Sequence, residues 1–416
     1  MTTVPLRRNR DFLLLQAGQL LSSFGSNMSR IAYPLLVLAV THSAANAGYV
    51  SAVLFAPMLA FNLVAGIAAD RFERKRLMII SDAVAAAAVT TLAIAVLDHV
   101  VALWLIFLVA FIDSTSGVFF RAAQSGAFRA VVPLAQVPAA ASAAQARGST
   151  VLLAGPPAGG ALFSVARALP FLADAVSYAL STASLLLMRA KFQEPRERDR
   201  TLVRRQLAEG VSFVARIPFL RTTMLMIAVS NFSIAGVQLA VIVLAKRHGL
   251  SSAGIGALVA LTGAATLLGS LASPFLRRLL TLRVILLSEF WAALGYVAFL
   301  VWPSVYVLVG AFAAQGLCFP NTDAAVAGYS YALIPDRLLG RAMTVSNTLR
   351  VLAAPLGPLA AGLLLTTTSP RATIAALAGA TLLVAALGTF SRSIRQMPPL
   401  TELTSSVPSE TATLVP

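Results

Sequence analysis

The chain has 416 residues, of which 58% are hydrophobic and 12% charged, with a mean hydropathy of +0.82. Soluble chains carry about 25% charged residues, so a soluble enzyme or soluble binding module is excluded. The net charge of +16 does not indicate nucleic acid: the basic residues sit in short loops between apolar runs, not on one face with interleaved aromatics. Cytoplasmic loops of membrane proteins collect Lys and Arg for topological reasons.

Apolar runs of about 20 residues, the length that crosses a bilayer, recur from end to end. They predict an all-α membrane protein with twelve spans, near 12–40, 47–69, 77–97, 100–120, 138–164 and 170–189, then 219–245, 250–273, 284–302, 304–328, 342–367 and 371–391. Residues 1–190 make an N-terminal six-helix half and 219–391 a C-terminal one. Between them, 191–218 reads as a charge-dense cytoplasmic linker with a short surface helix near 202–215. Residues 392–416, rich in Pro, Ser and Thr, read as a disordered cytoplasmic tail. The basic start is followed by an apolar run too long for a cleavable signal. One cysteine, Cys318, excludes an internal disulfide.

Charge sets the orientation. Most of the 32 Lys and Arg residues fall on the side that carries both termini, whereas Arg167, Lys246, Arg247 and Arg371 fall on the other. The termini are therefore expected on the cytoplasmic side of the membrane.

One stretch interrupts the apolar pattern sharply: Gly66-Ile67-Ala68-Ala69-Asp70-Arg71-Phe72-Glu73-Arg74-Lys75-Arg76. Gly66 lets helix backbones approach. A carboxylate at Asp70 can face the positive N-terminus of another helix. Arg71, Arg74, Lys75 and Arg76 offer partners for Asp70, Glu73 and lipid phosphates. The stretch is expected to act as a cytoplasmic latch; the alternative is topological charge alone.

The two halves repeat. At one constant offset Pro133 matches Pro335, Gly155-Pro156 matches Gly357-Pro358, Ala158 matches Ala360, Gly160 matches Gly362 and Leu162 matches Leu364. Gly269–Glu289 is a degraded echo of Gly66–Asp82 without the acid. Parallel repeats about an axis normal to the membrane suit alternating access at their interface. In span 5, Gly155, Pro156, Gly159 and Gly160 predict a kink or a close packing face.

Ionisable groups inside spans are costly and mark function. Arg30 and Asp113 stand at similar depth in spans 1 and 4, which predicts a buried pair with Asp113 as a proton carrier. A static pair that only aids packing is the alternative. Asp323 and Arg350 are the parallel candidates in the second half. Asp82 and Glu289 are expected to pair with loop cations, and Asp174 to cap span 6.

The motif from Gly66 to Arg76 resembles the signature between helices 2 and 3 of the major facilitator superfamily. Ser29-Arg30-Ile31-Ala32-Tyr33-Pro34, Phe171-Leu172-Ala173-Asp174-Ala175-Val176-Ser177-Tyr178 and Pro335-Asp336-Arg337-Leu338-Leu339-Gly340-Arg341 are similar to its branch of enterobactin and macrolide exporters. The resemblance implies the two-half fold and a latch from Asp70 to span 11 near Gly340-Arg341. It also implies an antiporter role for the Gly155-Pro156 run, and a wide apolar pocket between spans 1, 4, 7 and 10. Polar candidates there are Gln19, Asn27, Asn231, Gln238, Gln315 and Asn321. Ser26-Asn27 stands where many relatives carry Gly-Asp, which shifts the carboxylate role to Asp113.

The expected function is proton-coupled efflux of an amphiphilic small molecule (drug, antibiotic or siderophore-like). An uptake permease and a non-transporting membrane sensor are the alternatives. No phosphate-binding loop occurs. The expected partners are the solute, protons and membrane lipids, with no nucleic acid, cofactor or metal, and the chain is expected to act as a monomer.

Overall fold

The computed structural model describes residues 5–133, 136–190, 192 and 203–396, and these are helical without a strand. The helices are α1 (Arg10–Thr41), α2 (Ala44–Arg71), α3 (Arg74–Leu97), α4 (Leu103–Val131), α5 (Val137–Val165), α6 (Leu169–Leu187), α7 (Val203–Arg216) and α8 (Pro218–Arg247). They continue as α9 (Ser252–Leu279), α10 (Leu282–Trp291), α11 (Gly295–Val301), α12 (Val305–Leu333), α13 (Asp336–Val351), α14 (Leu356–Thr367), α15 (Pro370–Phe390) and the short α16 (Arg392–Arg395). The expected tail beyond 396 and much of the linker, 193–202, lie outside the described residues.

Among the described residues, 10 helical segments are long and apolar enough to cross a membrane. Helices α1 and α5 are as long, with 32 and 29 residues, and fall outside that apolar set. Local chemistry sets the boundaries. Asn9, Ser43, Ser251, Ser304 and Ser369 accept backbone N–H bonds as N-caps. His42 and His99, both at positive φ, turn the chain after α1 and α3.

Three expectations change. Helix α4 runs on to Val131, well past 120: its last turns carry Arg121, Gln124 and Arg129, which end the apolar run but not the helix. The ninth span is split by a 3-10 turn at Ala292–Leu294 into α10 and α11. The eleventh is split into α13 and α14 at 352–355, where Pro355 withholds a backbone donor. The break therefore lies in that span, whereas α5 stays continuous through Pro156 and Pro157.

The core explains the shape. Toward the end that carries the short turns at His42, His99 and Gly249, one apolar cluster joins α1–α6 to α8, α9, α11, α12, α14 and α15. Toward the charged end it divides. Phe12, Met78, Ala127 and Leu185 belong to one cluster, and Phe219, Leu286, Tyr329 and Val345 to another. The two helix sets are fused at the far end and separate at the charged end. Helix α7 lies at the charged end, with Val214 buried in the second cluster.

Candidate functional site

At the charged end the Gly66–Arg76 stretch works within its own helix set. Arg74 donates to the carbonyls of Ala69 (3.3 Å) and Phe192 (3.2 Å), and its guanidinium lies against Gly126 of α4. Lys75 donates to Met188 O at 2.8 Å, which places a cation at the C-terminus of α6. Arg76 pairs with Glu73 at 2.7 Å, and Arg71 lies over the Phe72 ring. Asp11 accepts from the Arg189 and Ala190 amides, and Asn9 donates to Val131 O. These ties lock the ends of α1–α4 and α6 together.

Asp70 is 70% exposed, with Arg74 at 3.6 Å. At Gly66 an added methyl would meet nothing within 4 Å. Helix α13 begins at Asp336, so Gly340 and Arg341 lie in its second turn and not at its start. Their side chains lie outside what the structure describes.

The far end is closed by glycines. A methyl at Gly256 of α9 would stand 2.5 Å from Pro156 O of α5. Gly160 of α5 lies in turn against Ser252 and Gly256. On the other flank, a methyl at Gly48 of α2 would stand 2.5 Å from Pro358 O, and one at Gly362 of α14 would stand 2.6 Å from Ala44 O. Gly155 and Gly159 seat α5 on α1 at Asn27 and Met28, as Gly357 seats α14 on α8 at Phe232. Matching sequence positions thus make matching contacts. The scattered far-end cations have local tasks: Arg247 donates to Leu365 O and Arg371 to Val301 O.

Between the closed end and the parted end lies a cavity of ≈ 260 Å³. Asn27 and Arg30 of α1, Phe55 of α2, Gln238 of α8 and Thr262 and Thr266 of α9 contribute to its wall. Arg30 stacks over Phe55 with 5.1 Å to the ring centroid.

Asp113 is buried and faces α1 and α6. It accepts from Tyr33 Oη at 3.1 Å and from Tyr178 Oη at 2.6 Å, and Tyr178 Oη is 2.9 Å from Ser26 Oγ. The expected Arg30–Asp113 contact pair is therefore not formed. Arg30 is turned to the cavity, and it and Arg121 act on Asp113 through longer-range fields. A carboxylate held by hydroxyls can take a proton without breaking an ion pair. In the other set Arg350 and Asp323 do form an ion pair.

Other sequence expectations need correction. Asp82 and Glu289 are buried, not paired with loop cations. Glu289 accepts from Ser230 at 2.5 Å, and Asp82 bonds Ser181. Of the six polar pocket candidates, Asn27 and Gln238 line the cavity. Gln19, Gln315 and Asn321 are buried in helix packing, Gln315 accepting from Tyr296 Oη and Asn321 donating to Gly269 O. Asn231 donates to Arg350 O at 2.7 Å, beside the break between α13 and α14. Asp174 is fully buried mid-interface against Gly25 and Ser177. The sequence reading missed Tyr33, Tyr178 and Phe55. Both tyrosines stand in motifs that it quotes, one helical turn from Arg30 and Asp174 respectively.

The helix bundle, with its core divided at one end and its central cavity, has the architecture of the major facilitator fold. The chain belongs to the family described as Transmembrane secretion effector (MFS_3), which matches over residues 1–412. It is 28% identical over 275 residues to the MFS-type transporter YfiS of Bacillus subtilis, covering 64% of each chain. It is 40% identical over 82 residues to the multidrug efflux pump Tap of Mycobacterium tuberculosis (20% of this chain, 19% of Tap). It is 29% identical over 154 residues to macrolide efflux protein A of Streptococcus pyogenes (37% and 38%). The chain thus spans less than two thirds of the length of these relatives. The fold is similar to the nucleoside transporter NupG (TM-score 0.73, 13% identity, 92% of this chain and 100% of that one). It is also similar to a bacterial homologue of the iron transporter ferroportin (0.71, 16%, 93% and 99%).

Proposed function

We propose that the chain is a twelve-span secondary transporter that exports an amphiphilic small molecule by alternating access, driven by protons entering. Two parallel six-helix halves, 1–190 and 219–391, flank the cavity, and the charged end faces the cytoplasm of the inner membrane. The observation that carries this reading is the core that is single at the far end and divided at the charged end, around a cavity walled by both helix sets. The efflux names of Tap and macrolide efflux protein A support the direction. Exposed apolar side chains such as Val84, Leu180, Leu271 and Phe390 suit contact with lipid. The protein works as a monomer, with Asp113 as the proton carrier and Asp323–Arg350 as its counterpart in the second half.

Asp70 then latches the charged end when the halves rock shut. Asp70→Asn is expected to leave expression and insertion intact while lowering export severalfold; normal export by a well-expressed variant defeats the latch.

An uptake permease is the second reading. It draws on electrostatics: Arg30 and Asp113 act on each other, so a proton on Asp113 strengthens the site for an anionic solute, and both would enter together. Gene deletion separates the two. Loss of an exporter sensitises cells to the exported compound, whereas loss of an uptake system creates a growth requirement.

A further inference from the structure

The cavity wall has a one-sided chemistry. Its hydroxyls are turned back on their own helices: Ser51 donates to Ala47 O, Thr262 to Val259 O and Thr266 to Thr262 O, at 2.7–2.9 Å. Asn27 commits an N–H to Ser23 O. Arg30 is the charged group of the lining, which includes no carboxylate. Its guanidinium is exposed to the cavity, and among the described residues it makes neither a hydrogen bond nor an ion pair. Phe55 covers one face of it and leaves its N–H edge open. Asp113 does not neutralise it by contact: its two carboxylate oxygens accept from tyrosine hydroxyls and it forms no ion pair with Arg30 among the described residues. Arg121, further along α4, adds a like charge. Across the cavity, Gln238 of α8 is exposed and offers further N–H donors. The remaining wall, with Ile31, Leu54, Leu239 and Val259, is apolar.

We propose that this cavity selects amphiphiles with an anionic oxygen head, a carboxylate or its equivalent, held by Arg30 with Gln238 opposite and the apolar body along Phe55 and α9. The guanidinium edge matches two oxygens side by side. A cationic head would meet Arg30 with no acid in contact to receive it. The proposal deepens the reading of this cavity as the transport site and rests on it.

The test uses the full chain in lipid nanodiscs and calorimetric binding of three probes that share one apolar body: 4-(1-pyrenyl)butyrate, its neutral methyl ester and 4-(1-pyrenyl)butylamine. Empty nanodiscs supply the background. The wild type is expected to bind the carboxylate about tenfold or more tighter than the other two, the scale of one charge-assisted contact. Arg30→Gln should erase that preference and leave ester binding within about twofold, while Arg30→Lys keeps part of it. Equal binding of all three, preference for the amine, binding of none, or a preference that survives Arg30→Gln each overturns the proposal. Gradient-driven movement of the same probes in everted vesicles is scored separately. Carboxylate preference without movement upholds the site and strikes the transport reading alone. Movement without preference does the reverse.

Discussion

Asp113→Asn is expected to fold, insert and bind solute, and to lose gradient-driven export down to the level of cells without the protein. Asparagine matches aspartate in shape, so Tyr178 and Tyr33 keep a partner. Tyr178 can turn its own proton toward Ser26, whose Oγ is 2.9 Å away. The cost in stability should stay near 1 kcal/mol, the scale of one hydrogen bond. The chemistry changes more: an amide at this depth binds no proton in the working pH range. Exchange of solute down its own gradient should survive, because it needs the halves to rock but needs no proton. Full uncoupler-sensitive export by Asp113→Asn removes Asp113 from the mechanism. Loss of exchange as well would make its role structural.

Gly160→Val and Gly362→Val are expected to abolish transport for a different reason. Gly362 stands where a methyl would lie 2.6 Å from Ala44 O and 3.0 Å from Gly48 Cα, and Gly160 is equally tight against Ser252 and Gly256. Neither partner is a flexible side chain that can step aside; both contacts are helix backbone. Overpacking of this kind costs about 1–3 kcal/mol, enough to move a two-state equilibrium by about 5–150-fold. The variants should leave the far end open for much of the time. Spin labels at the exposed Val165 and Thr367, in a Cys318→Ser background, would read this as a longer distance than in the parent. Unchanged distances with normal transport would show that the far-end glycines are not a gate.

Much of this was legible in the chain, and the part that was not has a common cause. Apolar run length marks where helices lie, so α2, α3, α5, α6, α8, α12 and α15 and the surface helix α7 fall near the predicted segments, whereas α4 overruns its limit and the ninth and eleventh segments are broken. Glycines spaced along one helix face announce close packing, and Gly155–Gly160 and Gly357–Gly362 provide it. Rotation about the helix axis is what the pattern left open. Arg30 and Asp113 agree in depth, but each residue turns the helix by about 100°. Tyr33, not Arg30, faces Asp113, while Arg30 faces Phe55. Gln19, Gln315 and Asn321 fail as cavity residues for the same reason: each sits in a span at a suitable height on the wrong face. Asp82 and Glu289 read as neighbours of loop cations because they are close in sequence, yet they point into their helix sets. Beside the break at 352–355, Asn231 donates to Arg350 O, a contact between residues far apart in the chain that run length does not announce.

Proton-driven export is the central claim. It is tested most directly by accumulation of a panel of amphiphiles, anionic, neutral and cationic, in cells that lack other efflux pumps and express this chain, with and without an uncoupler. Lower accumulation of at least one member, restored in full by the uncoupler and absent in Asp113→Asn, is the predicted result. Export that continues undiminished in the presence of the uncoupler would contradict it.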